Sequence, residues 1–181
     1  MRETIEAALT KAGITQKQLA SRIHRSRSQT QRLIYGHQSM TPEEANAISR
    51  AAHCPGINKV YCRKLCAIGK RYHFDILNNV DLSMTAILTK YRQEEREAHE
   101  ALEVMLDIVL NKNRAEDCTD QELRDLWHCA LEMLDLKHVI TMLELRLEDF
   151  MDVAALVAEH NRKCMDKHYV DTKKPDLVLV G

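Results

Sequence analysis

From Lys70 through Lys174 the chain contains not one glycine or proline; its five glycines stand at 13, 36, 56, 69 and 181 and its three prolines at 42, 55 and 175. These two residues most often end or kink a helix. More than half of the chain is therefore free to run as continuous helix, while the part before it is punctuated at short intervals. A length of 181 residues suffices for one large domain or two small ones, each with its own core. With 45% hydrophobic, 29% charged and only 4% aromatic residues, the composition excludes collagen-like, disulfide-scaffold and disordered chains. The expectation is a soluble, all-α protein.

Helix starts are marked by four Ser/Thr-x-x-Glu/Gln pairs, the spacing of reciprocal capping: Thr15/Gln18, Ser26/Gln29, Thr41/Glu44 and Thr119/Glu122. The third carries Pro42 at the first helical position, where a missing N–H costs nothing. Together with apolar spacing they predict short helices at 3–12, 16–23, 27–35 and 42–53, with Gly13 and Gly36 as C-terminal caps. Residues 54–83 read as a Cys-rich connector: Cys54-Pro55-Gly56 breaks the chain, a short helix runs from Asn58 to Ala67, and Gly69 ends it.

Beyond it the spacing predicts a helix from Leu82 to Asn111, with Leu88, Tyr91, Ala98, Leu102, Met105 and Val109 on one stripe and Glu95 as the exception. After the polar loop Asn111–Cys118, Thr119 opens a helix expected to reach about His168. Leu126, Cys129, Met133, Leu136, Ile140, Leu143, Leu147, Phe150, Ala154 and Val157 form its heptad series. Residues 84–169 thus read as a long antiparallel helical hairpin whose second helix overhangs the first. The overhang points to a homodimer joined as a coiled coil, a second copy being the simplest source of covering helices. The tail 170–181, with Leu177-Val178-Leu179-Val180, is an edge strand, a docking segment or disordered.

The net charge of −1 conceals an asymmetry. Residues 1–53 hold eight Lys/Arg against four Asp/Glu, and 54–83 hold five against two; residues 84–181 hold thirteen against twenty-one. A polyanion would be met by the basic front, and a protein partner by the acidic 84–181. No stretch is long and apolar enough to span a membrane, and the first residues lack the apolar core of a secretory signal. The expected location is cytoplasmic.

The segment Thr15–Gly36 has the length and pattern of two helices joined by a short turn, as in DNA-binding helix-turn-helix units. Leu19, Ala20, Ile23, Leu33 and Ile34 would form its core. The second helix would then display Arg27, Ser28, Gln31, Arg32 and Tyr35. Arg bonds O6 and N7 of guanine in the major groove, whereas Lys17, Arg22 and Arg25 suit phosphates.

Residues 1–53 resemble the lambda-repressor-like helix-turn-helix domain of the Cro/C1-type, or XRE, family of phage and bacterial regulators. The resemblance implies a four-helix bundle that binds double-stranded DNA. It places a phosphate contact at Gln16, base readers at Arg27, Ser28 and Arg32, and backbone contacts at His37 and Gln38. Two positions depart from the family pattern: His24 stands where glycine is usual in the turn, and Thr30 replaces an aliphatic residue. The Cys-rich segment also resembles one found in Firmicutes regulators of this family, matching at Tyr61, Cys62, Cys66, Ile68 and Gly69, with Asn58 where a further cysteine is usual.

Cys54, Cys62 and Cys66, with His53 or His73, are the candidate ligands for zinc, against the alternative of buried structural thiols. Asp125-x-x-His128 and Asp135-x-x-His138 have half of a metal-site spacing, but ten residues of helix rotate one pair away from the other, so they read as solvated faces. No phosphate-binding glycine loop, nucleophile elbow or paired inward carboxylates are read in the sequence, so no catalytic activity is expected. The expectation is a dimeric repressor acting on a pseudo-palindromic operator. The alternative is an interaction or inhibitor module whose acidic carboxy-terminal half binds a partner protein while the front autoregulates.

Overall fold

The computed structural model describes residues 1–77 and 79–170, and the expectations for the tail 171–181 lie outside them. The fold is all-α, with no strand among the described residues. The helices are α1 (Arg2–Ala12), α2 (Gln16–Arg22), α3 (Arg27–Ile34), α4 (Pro42–Ala51), α5 (Gly56–Lys64), α6 (Ala67–Tyr72), α7 (Met84–Val109), α8 (Asp120–Leu147) and α9 (Val153–Asp166). None of the described helices is long and apolar enough to cross a membrane.

All four hydroxyl-led capping boxes form. Thr15, Ser26, Thr41 and Thr119 each accept the backbone N–H three residues on, and Gln18, Gln29, Glu44 and Glu122 reach back to the caps. Gly13 and Gly36 adopt left-handed φ angles of 65° and 76° that close α1 and the turn after α3.

The first core gathers Ile5 and Leu9 of α1, Leu19 of α2, Leu33 and Ile34 of α3, and Ile48 of α4. It does not stop at residue 53. Ile57, fully buried, and Tyr61 belong to the same cluster, so α5 is part of this bundle and not a bare connector. Gly69 does not end a helix but sits inside α6, against α5. A Cβ there would lie 1.9 Å from the Cys62 carbonyl oxygen, which explains the glycine without any turn.

The second core lies where α7 and α8 pack along one another. Its buried residues are Ile87, Val139 and Met142, joined by the partly buried Ile76, Leu82, Tyr91, Leu143 and Leu145. The stripe of α7 that faces inward keeps Ala98 and the partly buried Tyr91 of the predicted one and is otherwise displaced by about one residue. Ile87, Glu94, Ala98 and Ala101 are buried, while Leu88, Leu102 and Val109 of the predicted stripe are 40% or more exposed. Apolar residues occupy two adjacent stripes of α7, and α8 covers only one of them.

The long helix expected from Thr119 to about His168 is interrupted. α8 ends at Leu147 and α9 starts at Val153, where the Asp152 carboxylate accepts the Ala155 N–H at 3.0 Å. An aspartate competing for backbone donors breaks the helix without glycine or proline. The heptad series fails with it: Phe150 is 67% and Val157 52% exposed, and α9 buries no residue.

α8 also meets the chain that precedes α7. Phe74 stacks on His138 with ring centroids 4.7 Å apart, and His138 Nε2–H donates to the Asp75 carbonyl at 2.9 Å. Lys59 meets Glu144 at 3.3 Å. His138 is thus a docking residue and not part of a solvated face.

Candidate nucleic-acid interface

The geometry of α2 and α3 follows from the turn between them. His24 holds a left-handed φ of 52°, its N–H donates to the Ser21 carbonyl, and the Arg25 N–H donates to the Ala20 carbonyl at 3.0 Å. The position therefore keeps the backbone conformation that glycine adopts most readily, carried here by a residue type that tolerates it. Thr30 is fully buried, and its hydroxyl donates to the Ser26 carbonyl at 3.0 Å, so the polar group in the packed face of α3 is satisfied.

With Thr30, Leu33 and Ile34 turned inward, the remaining positions of α3 face out. Arg27, Ser28, Gln31 and Arg32 are exposed, and neither arginine forms an ion pair among the described residues. Lys17 is exposed beside the half-buried Gln16 at the start of α2. The loop after α3 folds back on that helix. His37 and Gln38 donate their N–H groups to the Arg32 carbonyl at 2.9 and 3.2 Å, which holds both exposed side chains beside the carboxyl end of α3.

Two cations assigned to phosphates also have internal partners. Arg25 Nη2 bonds Glu44 Oε1 at 3.1 Å, where the largely buried Glu44 also caps α4. Arg22 Nη1 donates to the Ala51 carbonyl at 2.8 Å. Both tie the turn to α4, whereas Lys17, the third, is exposed with no side-chain partner among the described residues. Arg2, which the sequence did not single out, lies with its guanidinium 4.1 Å above the Tyr35 ring, and Tyr35 stacks on His37. The Glu6 carboxylate, 3.0 Å from Arg2 Nε, raises the pKa of that guanidinium further.

The cysteines are all free thiols. Cys54, Cys62 and Cys66 pack against the first core and do not converge as a metal-binding group among the described residues. Carboxylates do converge elsewhere, contrary to expectation: Glu94, Glu97 and Glu132 bring oxygens within 4.8 Å of one another between α7 and α8. Glu94 is buried and paired with Lys90, whose pKa that contact raises. The sequence reading had Glu95 as the misfit on the stripe, and the one-residue displacement of the stripe hid Glu94.

The paired helices also leave apolar surface uncovered. Trp127 is 69% exposed, and Leu102, Leu106, Leu131 and Leu134 are exposed on the same two helices. Comparison of the chain with protein-family models, with curated proteins and with solved structures finds no match.

Proposed function

We propose that this chain is a sequence-specific double-stranded-DNA-binding transcriptional regulator, a dimeric repressor of a pseudo-palindromic operator. In this reading α2 and α3 form a helix-turn-helix, and α3 enters the major groove. The observation that carries it is the division of α3: Thr30, Leu33 and Ile34 are buried, while Arg27, Ser28, Gln31 and Arg32 stand outward, the arginines without ion pairs among the described residues. Unpaired arginines on a helix face can bond guanine edges without first breaking an internal contact. Lys17, Gln16, His37 and Gln38 flank that face and serve phosphates.

Dimerisation rests on the exposed apolar residues of α7 and α8, Trp127 foremost, which a second copy would cover. Two recognition helices would then meet half-sites about one helical turn apart. The reading assigns the Cys54, Cys62 and Cys66 thiols to packing, needs no cofactor or catalysis, and places the protein in the cytoplasm.

Selection of duplexes from a random library by the reduced, full-length protein at fixed salt tests the proposal. Enrichment of a two-fold-symmetric site, lost in Arg27→Ala and Arg32→Ala, is expected. A folded sample that enriches nothing, or a site indifferent to both substitutions, overturns it. The same exposed Trp127 in the acidic half favours a second reading, in which residues 84–181 capture a partner protein. A cellular activity that survives deletion of residues 1–70 would favour that reading.

A further inference from the structure

Between the two cores lies a cleft of about 420 Å³, within the size range of small-molecule sites. One wall comes from the first bundle, through Ala8 and Lys11 of α1 and the chain around Cys54. The other comes from Leu82 and from Met142 and Arg146 of α8. Most of its lining is apolar, and none of its residues belongs to α2 or α3.

The charges that face it are unbalanced. Lys11 forms no ion pair among the described residues, and Arg146 pairs through Nη1 with Asp149, a carboxylate that also lines the cleft. The Arg146 Nε–H is buried and has no hydrogen-bond partner among the described residues. An unpaired buried donor is costly, and a structure that retains one calls for an account. With Nη1 held by Asp149, the Nε side of the guanidinium fork is the side left, and Arg forks pair with planar carboxylates through two parallel bonds. The Arg146 side chain lines the cleft and is about one-third exposed, and its buried Nε edge meets an occupant when the guanidinium turns towards the cleft.

We infer that this cleft binds a small amphipathic carboxylate, its acid group held by Arg146 and Lys11 and its apolar body laid against Ala8, Leu82 and Met142. The occupant would touch both walls at once, beside contacts of α8 with the chain before α7 that include the Phe74–His138 stack and the Lys59–Glu144 pair. It would therefore bear on how the two cores sit together. The inference stands whether or not α3 reads DNA, because its test has no DNA in it.

The test is calorimetric titration of the full-length protein with 4-phenylbutyrate and with the neutral 4-phenylbutan-1-ol, which share an apolar body. The acid is expected to bind once per chain and about tenfold or more tighter than the alcohol, the preference of a charge-assisted contact. Lys11→Met and Arg146→Met should each erase that preference, and Arg162→Met, on the far helix α9, should keep it. Equal binding of acid and alcohol overturns the inference. So does the absence of acid binding at about 5 mM, or a preference that survives in Lys11→Met. Lys11 is exposed, so that variant keeps the inference testable should Arg146→Met fail to fold.

Discussion

Ile57→Ala is the substitution that most directly tests where the first bundle ends. Ile57 is fully buried in the cluster that also holds Ile5, Leu19, Ile34 and Ile48, and α5 packs on both α1 and α4. Truncation to alanine removes three carbons. At about 0.8 kcal/mol for each buried methylene, the transfer cost alone is about 2.4 kcal/mol. The cavity left behind brings such changes into a range of about 2–5 kcal/mol. The single tryptophan, Trp127, lies exposed on α8 outside this core, so its fluorescence is the wrong probe. Amide hydrogen exchange at Leu19, Ile34 and Ile48 reads the right one, and 2.4 kcal/mol corresponds to exchange about 50-fold faster where exchange follows the opening equilibrium. Ile57→Val should cost about 0.5–1.5 kcal/mol by the same measurement. Acceleration below about fivefold in Ile57→Ala, or a fragment ending at residue 53 with the same protection as one ending at residue 66, would refute the assignment of α5 to this core.

Further outcomes follow from particular residues. Arg27→Ala and Arg32→Ala should each weaken operator binding by about 1–3 kcal/mol in a gel-shift titration and relax one base position; Arg25→Ala should lower thermal stability and leave base preference unchanged, since its partner is Glu44. Gly69→Ala should lower the melting temperature clearly, because its Cβ would collide with backbone at Cys62 and not with a movable side chain. Glu122 is held at a pKa of about 2 by the Lys112 ammonium, then by the Thr119 N–H and hydroxyl. With a folded pKa below the unfolded value, its stabilisation is present above the usual carboxylate pKa and lost as pH falls towards about 2. Lys112→Met should move the Glu122 carboxyl titration, followed by carbon NMR, back up. Thr30→Val should change stability by less than about 1 kcal/mol in urea unfolding, because the Ser26 carbonyl keeps the Thr30 backbone N–H as donor when the hydroxyl is lost.

Local chemistry in the sequence was enough to find the helix starts. Each Ser or Thr cap and its Glu or Gln partner lie three residues apart and need nothing distant to form, which is why all four boxes stand where the spacing put them. The outward face of α3 was legible for a similar reason: once Thr30, Leu33 and Ile34 turn inward, helical spacing turns Ser28, Gln31 and Arg32 away from them, whereas Arg27, seven residues before Ile34 and on its side of the helix, is exposed at the first helical position. The glycine-poor half did form long helices, but composition permits continuity and does not compel it. Asp152 ended the run at a place that the heptad series passed over.

What tertiary structure decided was the choice among locally equivalent options. α7 carries two apolar stripes, and only the position of α8 makes Glu94 buried and Leu102 exposed. Arg22, Arg25 and Lys17 are alike as sequence, yet a carbonyl of Ala51 and a carboxylate of Glu44, each brought near by the packing of α4, occupy the first two. Spacing along a helix fixes which residues share a face, whereas burial and pairing depend on what lies opposite, and that partner is supplied by elements remote in the chain.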